Sequence, residues 1–431
     1  MKTQAYLTFL CCICWFSNLH AQFIKEYYKA PQATSFHAIV PVNESLTSNL
    51  FIAGTYGKQI VVGEVEQDGD VVWMKKLIVE SKRYLINAMI KDSDGNLILS
   101  GGNYVGIGDN GFAFLIKFNP VSKSIMWFQQ TNENILFFDC AEMGVGGNYV
   151  IGGQDEDEGT GNGADHLTMI ADRETGSLSV FTSKNINLNE TVDALLFDDA
   201  SNFLYTTGRY ELDPGGAGKF RGCLDKIDSV GNVVWTKYYI KDNASTARFY
   251  PKDIIKDGDA LLIIASGDDE GYDIVRNFYL LKVDLEGNII WVNKYDIEGV
   301  PSDGILCSIR KHLSGYIITG SLYDETYTDI FIINTNFEGD INWAKSFPYR
   351  KKTETFSMQM SGSLTVIGDK IFHVGEKLMP DGSLRGVLLS TSVANADFNI
   401  CSADINLTKY LYVEPYQGEY VLTNAFFIAN V

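Results

Sequence analysis

The chain is poor in nearly every short pattern that marks a catalytic or metal centre. It has five histidines in 431 residues, and none stands in an HxH, HExxH or paired CxxC spacing, which excludes the common zinc sites. There is no GxSxG nucleophile turn and no phosphate loop. GGNYVG, Gly101 to Gly106, joins two strand-like runs and opens no helix, so a dinucleotide reading fails on context. Basic residues are scarce beside acidic ones: 35 Lys and Arg face 54 Asp and Glu, a net charge of −19. Such a surface repels phosphate backbones and anionic lipid, so nucleic acid and membrane surfaces are excluded as partners. Helical periodicity is absent beyond the first segment.

Long apolar runs are also missing, with one exception at the start. Lys2 supplies a positive charge, Ala5 to Phe16 is apolar, and Leu19-His20-Ala21 ends in a small residue suited to cleavage. The run is too short to span a bilayer, so residues 1–21 read as a signal peptide and 22–431 as the mature chain, secreted or periplasmic, with no membrane insertion. Three of the seven cysteines, Cys11, Cys12 and Cys14, fall within that segment. Asn43, Asn189, Asn243 and Asn406 stand in N-x-S/T sequons, which matter only in a glycosylating host.

What is present is repetition. Hydrophobic residues make up 45% of the chain and aromatics 13%, enough for a large core. GNIIWVNKYD, Gly287 to Asp296, has near-copies in GDVVWMKKL, GNVVWTKYY and GDINWAKSF, beginning at Gly69, Gly231 and Gly339. Trp73, Trp127, Trp235, Trp291 and Trp343 recur at roughly 54 residues or its double, with Phe181 in the missing place and Phe398 one step further. Each unit holds four short runs rich in Val, Ile, Tyr and Phe, separated by Gly, Asp and Asn. A tryptophan at this spacing is an anchor between neighbouring sheets, and the glycine before it supplies a tight turn.

This pattern predicts an all-β fold, a single β-propeller domain of four-stranded blades. Lys409 to Val431 reads as three further strands lacking a fourth, and FIKEYYK, Phe23 to Lys29, resembles WTKYYIK, Trp235 to Lys241. The expectation is therefore eight blades, with seven as the alternative, the ring closed by the N-terminal strand pairing into the last blade. In that frame Cys140 and Cys307 lie in first strands three blades apart, Cys223 in a third strand and Cys401 beyond a fourth. None is placed for a disulfide, so four free thiols are expected.

ADRETGSLSVF, Ala171 to Phe181, resembles the tryptophan-docking motif of quinoprotein-type propellers, A-x-D-x-x-T-G-K-x-x-W. Ala171, Thr175 and Gly176 fit; Asp172 sits one place early, and Ser177 and Phe181 replace Lys and Trp. The resemblance implies the repeat architecture. It does not imply the quinone-dependent dehydrogenase activity of some members, which uses adjacent cysteines that residues 22–431 lack.

For function the loops between second and third strands are the informative part, longest in units two to five and all on one face. QDEDEGTGNGAD, Gln154 to Asp165, packs five carboxylates, a density that makes calcium the one possible cofactor; otherwise none is expected. The arc offers Tyr104, Asp155, Asp157, Asp165, His166, Tyr210, Asp268 and Tyr272 as candidate ligand-binding residues. Acidic groups mixed with tyrosines suit a carbohydrate, a basic peptide or a cation. The expected function is non-enzymatic binding of a protein or glycan by a monomer. The alternative is an exported polysaccharide lyase, hydrolase or quinoprotein relative, with a site assembled from scattered residues at the central channel.

Overall fold

The computed structural model describes residues 23–27, 33–77, 84–103, 111–131, 135–156, 164–184, 190–211, 220–240, 248–268, 277–297, 303–323, 327–351, 363–378, 384–394, 403–404, 407–411 and 416–418. These form seven antiparallel sheets, each a blade whose strands follow one another in space as in sequence. Blade 1 is Thr34–Pro41, Leu50–Tyr56, Gln59–Val65 and Val71–Leu77; blade 2 is Tyr84–Lys91, Leu97–Asn103, Phe112–Asn119 and Ser124–Gln130. Blade 3 is Ile135–Glu142, Tyr149–Glu156, Ala164–Ala171 and Leu178–Lys184. Blade 4 is Ala194–Asp198, Phe203–Glu211, Phe220–Asp228 and Val233–Ile240. Blade 5 is Arg248–Asp257, Ala260–Asp268, Asn277–Asp284 and Ile289–Ile297; blade 6 is Asp303–His312, Gly315–Tyr323, Tyr327–Thr335 and Ile341–Lys351. Blade 7 takes three strands from Leu364–Ile367, Lys370–Leu378 and Leu384–Ser392, and its fourth is the N-terminal Phe23–Tyr27. The first strands contact one another around the ring, and so line the central channel.

The ring therefore has seven blades, not the expected eight. Phe23–Tyr27 completes the blade of residues 364–392, and the described residues of Lys409 to Val431 form no sheet of their own. Phe23 pairs with Ser390 in the register at which Trp73 pairs with Glu64. The C-terminal stretch instead lays single strands on blade edges. Ala403–Asp404 pairs with the fourth strand of blade 6, Leu407–Leu411 with that of blade 5, and Tyr416–Gly418 with that of blade 4. A short β-prone run has two ways to satisfy its backbone, a new sheet or an existing open edge, and here it takes the edges. Residues 419–431 and Phe398 lie outside the described residues.

The tryptophans sit where the repeat places them, partly buried between sheets: Trp73, Trp127, Trp235, Trp291 and Trp343 each border a hydrophobic cluster. A register shift in the fourth strand directs them there. Val72, Met126, Val234, Ile290 and Asn342 are extra residues opposite no partner, and each precedes its tryptophan. In blade 3 the extra residue is Phe181, two rungs further along the ladder than in the other blades, and Thr182, which follows it, stands at the register of Gln129 in blade 2.

From the tryptophan register, or two rungs past it in blade 3, fourth strands reach the third-to-fourth-strand corner of the next blade. Trp127 Nε1 donates to Arg173 O at 3.1 Å, Thr182 Oγ1 to Gly231 O at 2.7 Å, and Trp343 Nε1 to Val393 O at 3.1 Å. Four positions further along the strand, Tyr27, Tyr239 and Tyr295 donate to the carbonyls of Gly69, Gly287 and Gly339 at 2.7, 3.0 and 2.6 Å. Between blades 1 and 2, Lys75 donates to Lys123 O and the Lys123 ammonium lies 5.4 Å from the Trp73 ring centroid. The N-terminal strand thus docks on blade 1 as internal fourth strands dock on their successors. The opposite side of the corner strands carries buried charge. Asp92 accepts from Tyr149 at 2.7 Å beside Lys117 and Arg173, and Asp257 accepts from Tyr316 and Lys282 at 2.6 Å. Burial of Asp257 opposes its charge, yet Lys282, Lys311 and Tyr316 outweigh that and hold its carboxyl below the usual range.

Gly176 shows why the corner needs glycine. Its φ is +73°, and a Cβ there would stand 2.7 Å from the Trp127 ring. Gly176→Ala is expected to lower unfolding stability by about 2–4 kcal/mol, from left-handed strain plus overpacking. Chemical denaturation with a midpoint equal to wild type would remove the docking argument.

Candidate functional site at the channel

The first strands share a second irregularity. In blade 1 Phe36 pairs with Gly54 and Ala38 with Ala53, leaving His37 as an extra residue. The same shift singles out Asn87, Phe138, Lys252 and Cys307 in blades 2, 3, 5 and 6. In blade 4 the pairings Glu190 with Tyr210 and Ala194 with Thr207 differ by one residue, which makes Asp193 the extra one. A bulge frees one side chain per blade from the sheet and re-aims it. His37, Phe138, Asp193 and Lys252 are half-buried, and Asn87 is buried. No two of the six are the same type.

The next residue in each strand is small or carboxylic: Ala38, Ala88, Asp139, Ala194, Asp253 and Ser308. Both aspartates tie their blade to the next. Asp139 accepts from Leu195 N at 3.0 Å and from Cys140 N at 2.9 Å. Asp253 Oδ2 accepts from Ile309 N, Ser308 Oγ and Arg310 Nη1, each at 2.9 Å, and Oδ1 accepts from Ile254 N at 2.9 Å. The inner edge of a first strand has no neighbouring strand, so these carboxylates satisfy amides that would otherwise need water. Asn87 ties blade 2 to blade 3 through Phe137 O.

Charge at the mouth is concentrated on blades 4 to 6. Asp193 lies 3.3 Å from Arg209 Nε and 3.7 Å from Lys252 Nζ, and accepts from Thr191 Oγ1 at 2.9 Å. Burial opposes its ionisation, but Lys252 and Arg209 prevail and hold its carboxyl below the usual range. Asp139 is the opposite case. Burial, then the charge of Asp253, pushes it up to about 7 against two backbone hydrogen bonds and Arg310. Asp253 is raised too, again by burial, with Arg310 and the hydrogen bonds from Ile309 and Ser308 acting against it.

The loop residues singled out in the sequence are distributed differently. Tyr104, Asp157 and Tyr272 lie outside the described residues, and of Asp268 only the backbone is described, paired with Arg248. Asp155 is the penultimate residue of the second strand of blade 3, opposite Ile135 and Asp165. Asp165 and His166 are buried, and His166 Nδ1 lies 3.6 Å from Asp225 Oδ2 in blade 4. Asp225 also accepts from Thr236 Oγ1 at 2.5 Å, so this is an interblade contact. Tyr210 packs on Tyr238 with ring centroids 4.8 Å apart. Cys140 and Cys223 are buried free thiols, while the side chains of Cys307 and Cys401 are outside the described residues. Among the described residues no three His, Cys, Asp or Glu side chains gather as metal ligands. Sequence reasoning missed Asp139, Asp193, Asp253, Arg209 and Lys252. The available signal was the polar break in otherwise apolar first strands: FFDCA, TVDAL and YPKDI.

No protein-family model matches the chain, and no curated protein matches it. Solved structures do. The chain is similar to the α-L-arabinofuranosidase Arb93A of Fusarium graminearum in complex with an iminosugar inhibitor, at 12% identity and a TM-score of 0.50 over 73% of this chain and 95% of that one. A complex of the GH93 α-L-arabinofuranosidase of the same fungus with arabinobiose gives 10% identity and 0.48, covering 72% and 93%. The endosialidase of phage phi92 gives 10% and 0.47, covering 95% and 76%. At these identities the likeness establishes the β-propeller fold alone.

Asp139 predicts a pH signature. Its carboxyl titrates near 3.8 in the unfolded chain and near 7 in the fold. The stability of its protonated form is fully present below the lower value and lost as pH rises to the higher one. Asp139→Asn keeps the neutral form at every pH, so its melting temperature relative to wild type should climb between pH 4 and pH 7 and level off above. Parallel melting profiles for the two proteins would remove this account of the channel.

Proposed function

We propose that this chain is an exported, non-enzymatic β-propeller that binds a glycan or protein ligand on the face carrying its second-to-third-strand connections. The observation carrying this reading is the role of the channel carboxylates. Asp253 already accepts four hydrogen bonds from its own and the next blade, and Asp139 accepts two backbone amides. Groups engaged in holding blades together are poorly placed to exchange protons with a substrate. The diversity of the repeat lies elsewhere, in the bulge residues at the mouth and in the loops above them, and variation on a rigid scaffold is the usual arrangement of a binding surface. The contact by which Gly176, within Ala171 to Phe181, receives Trp127 of the preceding blade supports the resemblance to quinoprotein-type propellers. The expected assay outcome is a selective hit for the intact protein on a combined glycan and peptide array. Calcium is varied because of the acidic Gln154 to Asp165 segment; an array without hits under either condition counts against the proposal.

A second reading, an exported enzyme acting on polysaccharide, is favoured by one observation. Asp139, pushed up to about 7 by burial and the charge of Asp253, changes its protonation around neutral pH, which suits a general acid. On this reading, release of new sugar ends from a polysaccharide panel is abolished by Asp139→Asn. No release by the wild-type protein excludes it.

A further inference from the structure

We propose that the face between blades 6 and 7 is an acid-sensitive latch: protonation of His373 parts the ring there while the other blade contacts hold. The latch is independent of what the loop face binds.

His373 lies in Lys370–Leu378, the second strand of blade 7, opposite Leu364 and Leu389 on the strands either side. Residues opposite one another in a sheet share a face, and Leu364 and Leu389 pack with Ile317 and Ile332 of blade 6. The imidazole therefore enters the interface between the two blades. It is fully buried, and neither Nδ1 nor Nε2 has a hydrogen-bond partner among the described residues. A neutral ring is tolerated there at the cost of unmade hydrogen bonds, whereas an imidazolium would be a buried, uncompensated charge.

The charged groups around the ring do not favour its protonation. Arg310 and Lys345 stand in the rows of Ile317 and Ile332 that face blade 7. Both are cations; Arg310 is held by Asp253 of blade 5, and Lys345 has Asp404 opposite it at the outer edge. Within blade 7, Glu26 pairs with Arg385. His312 and Asp369 meet at 3.4 Å beside the turn before Lys370. Lys370 and Glu376 lie an odd number of places from His373, so they belong to the side facing blade 1, as does the Phe372 and Val374 contact with that blade. His37 lies beyond that side. Thr319 and Thr391 carry unpartnered buried hydroxyls, which accept a hydrogen bond but balance no charge. Burial alone pushes the imidazole from its ordinary 6.5 down to about 3.

This interface is also lightly tied. Tyr239 and Tyr295 reach the next corner from four places past the tryptophan, and in blade 6 that register is Phe347, a residue type without a donor. Trp343 Nε1 and Asn334 Nδ2 share one acceptor, Val393 O, at 3.1 and 3.3 Å. Once the blades part, the ring of His373 meets water and titrates near 6.5. Closure is therefore at full strength above pH 6.5 and weakens as pH falls toward 3. Asp139 runs the other way, gaining its proton in the closed ring as pH falls, so acid does not loosen blades 3 and 4 by that route.

The test is hydrogen exchange of the mature protein at pH 6.5, 5.5 and 4.5, corrected for intrinsic rates and read by mass spectrometry. Between the first and last pH, protection of the second and third strands of blade 7 should fall about fiftyfold relative to those of blade 4. His373→Gln and His373→Leu take no charge and should remove the fall, whereas His312→Gln should keep it. Two variants are used because His373→Leu leaves no polar atom in the site, which keeps the comparison decisive if His373→Gln folds poorly. A fall shared by every blade, or none in the wild type, overturns the latch. So does an undiminished fall in His373→Gln or His373→Leu, or its disappearance in His312→Gln.

Discussion

The whole ring depends on one repeated contact: a fourth-strand side chain of one blade meets the corner before the fourth strand of the next. Trp127, Thr182, Tyr239, Tyr295, Trp343, Tyr27 and the Lys75–Lys123 pair make this contact at successive interfaces. The corner carbonyl is a backbone group that the sheet does not satisfy, so the neighbour's donor answers a need that exists whatever the side chain is. That explains how threonine, tyrosine and tryptophan can each supply the donor. It also explains the glycine, since at Gly176 and Gly287 a Cβ would collide with the Trp127 or Trp235 ring.

Such a contact needs only a few residues per blade and repeats in sequence, and this made the architecture legible. The tryptophan spacing located five fourth strands, and the likeness of FIKEYYK to WTKYYIK reflects a shared docking role: Tyr27 and Tyr239 make the same hydrogen bond to a glycine carbonyl. The count of blades was not legible. Strand propensity identifies runs that want backbone partners, and Leu407–Leu411 is such a run, but propensity is silent on whether the partner is a new sheet or the edge of blade 5. Phe181 shows a related limit. Spacing found the right unit, yet a one-residue bulge moved the docking position to Thr182.

The channel was hidden for the same reason. A bulge has no letter code, and His37, Asn87, Phe138, Asp193, Lys252 and Cys307 align only once the ladders on either side are known. Two kinds of polar residue then separate. Asp139 and Asp253 complete the inner edge of the ring, whereas Asp193, Arg209 and Lys252 form a charged group of their own at its mouth. His166 and Asp165, conspicuous beside an acidic loop, turn out to be buried between blades 3 and 4.

The position of the two ends has a consequence for how the chain acquires its structure during synthesis. Glu26 meets Arg385 across 359 positions, so Phe23–Tyr27 waits through the synthesis of blades 1 to 6 for its partner. The strands at 403–418 cannot settle before the edges of blades 6, 5 and 4 exist, and they visit those edges in the reverse of the order in which the ribosome made them. The emerging polypeptide thus carries an unpaired Phe23–Tyr27 strand and open blade edges until residues 384–418 are made, a period of vulnerability to misassociation.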